Sequence, residues 1–375
     1  MKKNFILALV LVVLGSFIAG YFIGFKYPIG VSTTSQHILL TRIADYLLSD
    51  FYKPITEEQL IKGMVNSLSD PYTVFMNSEE TKVLQEEVKG EYAGIGVVIK
   101  FDETTKYPVI STVFKGSPAE RAGLLVKDII VKVDGKSTNN LSLDEVAALV
   151  KGKIGTEVNL LVRRNDKELT YKIIREKINI PLVETKYYDN GKIGYVSIFM
   201  FSQGLGEEFN DVLNEFKERG VSGIILDLRG NPGGLLDECE KVASEILPSG
   251  VLLYTKDRSE KLTPLTFSGH KLNIPLVVLV DGGTASASEI LTGAIKHYKV
   301  GTIIGEKTFG KGVIQQIFPL PYGNSIKITV EEYLLPSKES INKVGITPDI
   351  EIKNNPQLEE DQVLNEAIKI LEAQN

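Results

Sequence analysis

The serine of TASASEI (284–290) stands where an apolar run gives way to a helix-forming one. PLVVLVDGG (275–283) leads in, and a short Val-rich run ending in Gly-Gly predicts a buried parallel strand. SEILTGAIKHY (288–298) leads out and predicts a helix. Ser286 then sits at the carboxyl end of a strand, beside the N–H groups that the first helical turn leaves unpaired. A hydroxyl beside main-chain donors supplies two of the three parts of acyl transfer, a nucleophile and an oxyanion hole. The competing reading makes Ser286 and Ser288 simple helix caps. The third part is a base. His37 lies in a juxtamembrane helical stretch and His270 in a stretch rich in glycine and proline. His297, on the same helix as Ser286, would stand about 16 Å away along the axis, whereas proton transfer needs about 3 Å. A lysine is the alternative base. EKTFGKG (306–312) offers Lys307 and Lys311, and the glycines flanking Lys311 let its backbone approach another element closely. To act near neutrality such a lysine has to fall from about 10.4 to near 7, which burial can achieve and an exposed site cannot. The competing reading of Lys311 is a surface charge.

These residues need a scaffold, and the chain is long enough for two or three domains. Hydrophobic residues make up 43% and charged residues 24%, the balance of a globular protein. A net charge of −6 argues against nucleic acid as a partner. The single cysteine, Cys239, excludes an intramolecular disulfide and reads as a small residue packed on a helix. Nothing in the sequence calls for a metal or a cofactor. Residues 5–25 carry no charge and follow Lys2 and Lys3. At 1.5 Å per residue they span about 31 Å, the thickness of a bilayer core. No A-x-A-like cleavage site is clear, so the run is expected to be an uncleaved anchor rather than a signal peptide. The preceding lysines place its start in the cytoplasm and the body of the protein outside.

The chain divides into an anchor and juxtamembrane stretch (1–32), a helical segment (33–90), a strand-rich segment (91–177), an α/β core (178–347) and a tail (348–375). In the helical segment, ILLTRIADYLLSDFY carries a one-sided apolar stripe, Thr56 and Gln59 form a capping box, and SDPYTVFM is a turn. Packing or dimerisation is its expected role, with no chemistry. In the core, alternating strands and helices predict a sheet covered by helices. RGNPGG (229–234) follows a strand and has no side chain at its tip, which suits either a main-chain donor approaching substrate or an ordinary tight turn. Asp227 and Arg229 read as an ion pair at the strand end, and Glu289 as a helix-dipole partner. The tail ends in a short amphipathic helix.

EYAGIGVVI (91–99), GSPAERAGLLVKDIIVKVDGK (116–136) and LSLDEVAALVKGKIGTEVNLLVRR (141–164) resemble a PDZ domain. The resemblance implies that the turn at Ala93-Gly94-Ile95-Gly96 holds a peptide carboxylate and that an exposed strand edge accepts the peptide as an added strand. Ile95, Val97, Val146 and Leu149 would line the pocket for its last side chain. TASASEI, TFGKGVIQQ with its lysine 25 residues after the serine, and DLRGNPGG (227–234) together resemble the carboxy-terminal processing, or tail-specific, proteases. Those are Ser-Lys endopeptidases with an inserted PDZ domain on a crotonase-like βαβ core, and the segment order here is similar from about residue 40 to 350. The resemblance implies that Ser286 is the nucleophile, Lys311 the general base, and Gln315 a hydrogen-bonding partner that orients Lys311. It places the oxyanion hole at the N–H groups of Ala287 and of Gly233 or Gly234. The expected substrate is a protein or peptide with a free apolar C-terminus, and the helical ends suggest a homodimer. A non-catalytic relative that binds hydrophobic ligands, or a PDZ scaffold, is the competing expectation.

Overall fold

A computed structural model of the chain describes residues 35–374 apart from 89–90, 102–104, 106, 140, 142, 166, 180–181 and 355–359. The expected membrane span over residues 5–25 lies outside the described residues. Among those described, no helix is long and apolar enough to cross a membrane. The chain separates into two units, residues 85–182 and the remainder.

The elements run α1 (Ser35–Asp50), α2 (Glu57–Asn66), β1 (Val74–Met76), α3 (Ser78–Val88), β2 (Glu91–Gly94), β3 (Val97–Phe101), β4 (Pro108–Val113), α4 (Pro118–Ala122), β5 (Ile129–Val133), β6 (Lys136–Ser137), α5 (Leu143–Val150), β7 (Glu157–Arg164), β8 (Lys167–Ile174) and β9 (Glu176–Asn179). They continue β10 (Val183–Tyr188), β11 (Ile193–Ile198), α6 (Leu205–Glu218), β12 (Gly223–Asp227), α7 (Leu236–Ile246), β13 (Gly250–Lys256), β14 (Leu262–Phe267), β15 (Leu276–Val280), α8 (Ala287–Tyr298), β16 (Thr302–Gly305), β17 (Val313–Pro319), β18 (Ser325–Leu334), β19 (Ile350–Glu351) and α9 (Gln362–Glu372).

In the 85–182 unit an antiparallel sheet of order β3-β4-β5-β7-β8 wraps a core of Ile95, Ile110, Ile130, Val146, Val158 and Leu160. Strand β3 is its edge, and α5 packs beside it. The remaining unit holds two sheets. One has the order β10-β11-β12-β15-β16-β19, parallel except where β10 joins β11. Every residue of β11, β12 and β15 is buried, which is why these strands read as unbroken apolar runs rather than alternating ones. One face packs Ile225, Val277, Leu279 and Ile304 against Val363, Ala367 and Leu371 of α9, so the tail helix belongs to the core. On α8 every residue from Ala287 to Ile295 is buried. A helix buried on all sides cannot show an amphipathic stripe, and its small residues allow the close packing.

The other sheet has the order β1-β18-β13-β14, with β17 also paired to β18. Its first strand comes from SDPYTVFM, expected to be a turn within the helical segment. Val74, Phe75 and Met76 lie opposite Lys327, Ile326 and Ser325, so part of that segment is a strand of the core sheet. Three residues between two helices are too short for a strand period to show. Capping of α2 by the Thr56–Gln59 box is as expected. The apolar stripe of α1 is exposed at Leu39, Leu40, Ile43, Leu47 and Leu48, as is Phe51 just after the helix.

Candidate active site

Strand β15 ends at a turn organised by Asp281. One of its carboxylate oxygens accepts the N–H groups of Gly230 (2.8 Å), Gly283 (2.9 Å) and Thr284 (3.1 Å). One carboxylate thus fastens the RGNPGG turn to the TASASEI turn. Asn231 adds a second tie, its carbonyl accepting the Ala285 N–H at 3.0 Å and the Ser288 hydroxyl at 3.1 Å. Ser288 is therefore a buried strut between the turns. Ser286 precedes α8 with φ 55 and ψ −118, outside the helical and extended regions. A non-glycine residue held there is strained, and such strain persists only where the surroundings enforce it. Nearly all of Ser286 is buried, at 9% exposure.

Glu289, one turn into α8, supplies the enforcement. Its carboxylate accepts the N–H groups of Ser286 (3.0 Å), Gly310 (2.7 Å) and Lys311 (2.9 Å) and the Thr308 hydroxyl (2.6 Å). The Tyr333 hydroxyl also reaches both segments, with the Lys311 carbonyl at 2.5 Å and the Ser286 carbonyl at 3.3 Å. Two groups thus hold the backbones of Ser286 and Lys311 side by side. The glycines around the lysine make the approach possible, as expected. A Cβ on Gly310 would stand 2.7 Å from the Gly345 nitrogen, and one on Gly312 2.7 Å from the Asn342 nitrogen. The helix-dipole reading of Glu289 missed this role because its partners lie about twenty residues further along the chain.

Lys311 is 0% exposed, and its Nζ has no hydrogen-bond partner among the described residues. Burial holds its pKa well below the ordinary lysine value, reinforced by the neighbouring charge of buried Lys327. Glu289 and Asp70 pull the other way without prevailing. Burial likewise raises the Glu289 carboxyl, against the hydrogen bonds that lower it. The surface-charge reading of Lys311 is excluded. Gln315 is buried on β17, but its amide donates to the Thr329 hydroxyl at 3.4 Å, across the strand pair with β18. The expected Gln315–Lys311 hydrogen bond is therefore not made in this structure. A bulge between Ile314 and Gln315 re-aims the strand at this point.

The glycine turn lies against the serine. A Cβ on Gly233, whose φ is +100, would stand 2.7 Å from the Ser286 Cβ and 2.8 Å from the Ala287 nitrogen. The Gly233 N–H donates to the Asn231 side chain at 2.9 Å, which removes it as an oxyanion donor. The Gly234 and Ala287 N–H groups make no hydrogen bond among the described residues. Gly234 is packed on Phe201, where a Cβ would meet the carbonyl oxygen at 2.3 Å. Asp227 and Arg229 form the expected ion pair, extended to Tyr195 and to Asp361 at the start of α9. Cys239 is buried on α7 with its thiol toward the Ala287 carbonyl at 3.3 Å, and burial pushes its pKa up.

In the 85–182 unit an apolar cleft is lined by Ala93, Gly94, Ile95, Gly96, Val97 and Ile99 on one side and by Ala147, Val150 and Lys151 on the other. Gly94 ends strand β2, so the expected four-residue turn is confined to Ile95 and Gly96. Val146 and Leu149 do not line the cleft. Val146 is fully buried in the domain core and Leu149 packs against it. Both faces of α5 are apolar, so the pattern could not tell the core side from the cleft side.

Known proteins resemble the chain in sequence and in fold. Residues 192–352 match peptidase family S41, and residues 109–164 match a PDZ domain. A protein of Staphylococcus aureus called "Probable CtpA-like serine protease" is 38% identical over 333 residues, covering 86% of this chain and 66% of that protein. Its namesake from Staphylococcus haemolyticus is 39% identical over 314 residues, covering 82% of this chain and 62% of that one. The chain thus spans just under two thirds of the length of these curated relatives. A structure titled photosystem II D1 C-terminal processing protease superposes with a TM-score of 0.60 at 29% identity, covering 99% of this chain and 98% of that one.

Proposed function

Because this chain belongs to peptidase family S41 and carries a PDZ domain, we propose that it is a serine endopeptidase that holds the free, apolar C-terminus of a protein in its PDZ cleft and cuts upstream. The observation that carries this reading is the buried, unpartnered Lys311 amine on a residue whose main-chain N–H shares the Glu289 carboxylate with the N–H of Ser286. The neutral Lys311 Nζ takes the Ser286 proton as Oγ attacks the peptide carbonyl. The N–H groups of Ala287 and Gly234 receive the oxyanion. The resulting ammonium gives its proton to the leaving amine, and the acyl chain stays on Ser286 as an ester. Water, deprotonated by the same amine, then attacks the ester and releases the acid and free Ser286. No metal or cofactor enters these steps.

The edge strand β3, the apolar lining and the Ile95–Gly96 turn support recognition of a terminal apolar residue and its carboxylate. The uncharged run at residues 5–25 supports a single-pass anchor with the body outside the cytoplasm. The exposed apolar stripe of α1 supports association of two chains. The test is cleavage of one substrate protein bearing either a free or an amidated apolar C-terminus. The full chain should process the free form at least tenfold faster, and Ser286→Ala should process neither. Cleavage by Ser286→Ala at the wild-type rate would overturn the assignment.

A further inference from the structure

The segment that supplies β1 also reaches the base. In the turn Asp70-Pro71-Tyr72-Thr73, the Tyr72 ring centroid lies 5.0 Å from the Lys311 Nζ. Nothing in that segment had suggested chemistry. The turn is fixed from within and from outside. The Asp70 carboxylate accepts the Tyr72 N–H at 3.1 Å and the Thr73 hydroxyl at 2.5 Å. Thr73 Oγ1 in turn accepts the Thr329 N–H at 3.1 Å, and the Thr329 hydroxyl accepts the Gln315 amide at 3.4 Å. A line of hydrogen bonds thus runs from the turn, across β18, to the glutamine on the strand that follows Lys311. Pairing of β1 with β18 and a 2.8 Å contact between the Thr81 and Ser325 hydroxyls hold the segment down.

We propose that Tyr72 is a positioning residue for the base, its ring forming the wall that keeps water from the Lys311 amine, with Asp70, Thr73 and Thr329 holding that wall in place. The inference rests on Lys311 being the general base. Two effects of the ring oppose each other. Its face attracts an ammonium, which favours the charged form by about one pH unit. Its bulk excludes water, and full burial of an amine favours the neutral form by up to about 3–5 pH units. Exclusion is the larger effect. The other groups acting on the amine are Lys327 on β18, which favours the neutral form, and Glu289 on α8 and Asp70, which favour the charged form. The phenol takes no part as an acid near neutrality, because burial pushes it up to about 12. The ring, not the hydroxyl, is what matters.

The test is the pH dependence of kcat/KM for a quenched-fluorescence peptide with a free apolar C-terminus, measured on the full chain. Opening the wall raises the pKa of the amine, so the acid limb moves toward alkaline pH. Tyr72→Ala should shift that limb up by one unit or more, about a tenfold loss below the limb, with much of the rate regained at high pH. Tyr72→Phe should keep the wild-type limb. Tyr72→Gln fills most of the space but brings a polar group to the amine, so it should shift like alanine if Tyr72→Ala does not fold. A general loss of structure lowers the whole profile without moving the limb. Limbs of Tyr72→Ala and Tyr72→Gln that overlay the wild type, or a Tyr72→Phe limb that shifts as far as alanine's, would overturn the proposal while an inactive Lys311→Arg still upholds the dyad. A wild-type chain that cleaves nothing would overturn both.

Discussion

The Glu289 carboxylate accepts four hydrogen bonds in a fully buried setting, three from main-chain N–H groups and one from Thr308. Three of its donors sit on the lysine loop and one on Ser286, so the residue holds the backbones of the proposed nucleophile and base side by side. An amide in its place offers one oxygen and turns an NH2 toward donors. At least one main-chain N–H then stays unpaired, at about 1–3 kcal/mol. Glu289→Gln should therefore lower the melting temperature by several degrees. It should also reduce kcat by about 10- to 100-fold, since misplacement of a catalytic group by an ångström can cost that much. An unchanged kcat in a folded Glu289→Gln protein would show that the carboxylate is only structural filler.

Two strand-to-turn junctions make the side of the site proposed to receive the oxyanion. β12 ends in the glycine turn, β15 ends in the serine turn, and Asp281 and Asn231 join them. Gly233 is the contact point, since a Cβ there would meet the Ala285 carbonyl and the Ser286 Cβ, each at 2.7 Å. Gly233→Ala should push the two turns apart and cost about 10²–10³ in kcat, the loss seen when one oxyanion donor is removed. Parallel kinetics and thermal melts would check it, and wild-type turnover would contradict the arrangement. These junctions were legible in the sequence because buried parallel strands are continuous apolar runs and because a glycine pair marks each turn. The donor within the glycine turn was not legible. Whether Gly233 or Gly234 is free depends on the Asn231 side chain, which turns back to accept the Gly233 N–H. The cleft side of α5 was hidden for a related reason, since Val146 and Ala147 are both apolar and only packing decides which one faces the core.

The proposed active site draws on distant parts of the chain: Tyr72 and Asp70 near one end, Ser286 and Glu289 at the start of α8, and Lys311 and Tyr333 beyond. Short motifs are visible in one sequence, and the resemblance they carry, rather than spacing alone, is what pointed to Ser286 and Lys311. Contacts across more than two hundred residues are not visible, and Tyr72 over Lys311 is such a contact. Stability should record the arrangement. The folded pKa of Lys311 lies below its unfolded value near 10.4. Between the two, the unfolded chain binds a proton that the folded chain does not, so this residue makes stability rise with pH across that window. Lys311→Met should remove that slope. It should stabilise the protein by about 1–2 kcal/mol at pH 7, as relief of a strained active site commonly does. The gain should shrink toward pH 9 in urea titrations, and a less stable Lys311→Met protein at pH 7 would contradict the burial argument. The most direct measurement is kcat/KM against pH for the wild type and Lys311→Arg, with folding of both verified. The wild type should show an acid limb set by one group titrating well below the ordinary lysine value, and Lys311→Arg, which stays protonated throughout, should be inactive at every pH. A Lys311→Arg protein that cleaves at the wild-type rate would show that some other group takes the Ser286 proton.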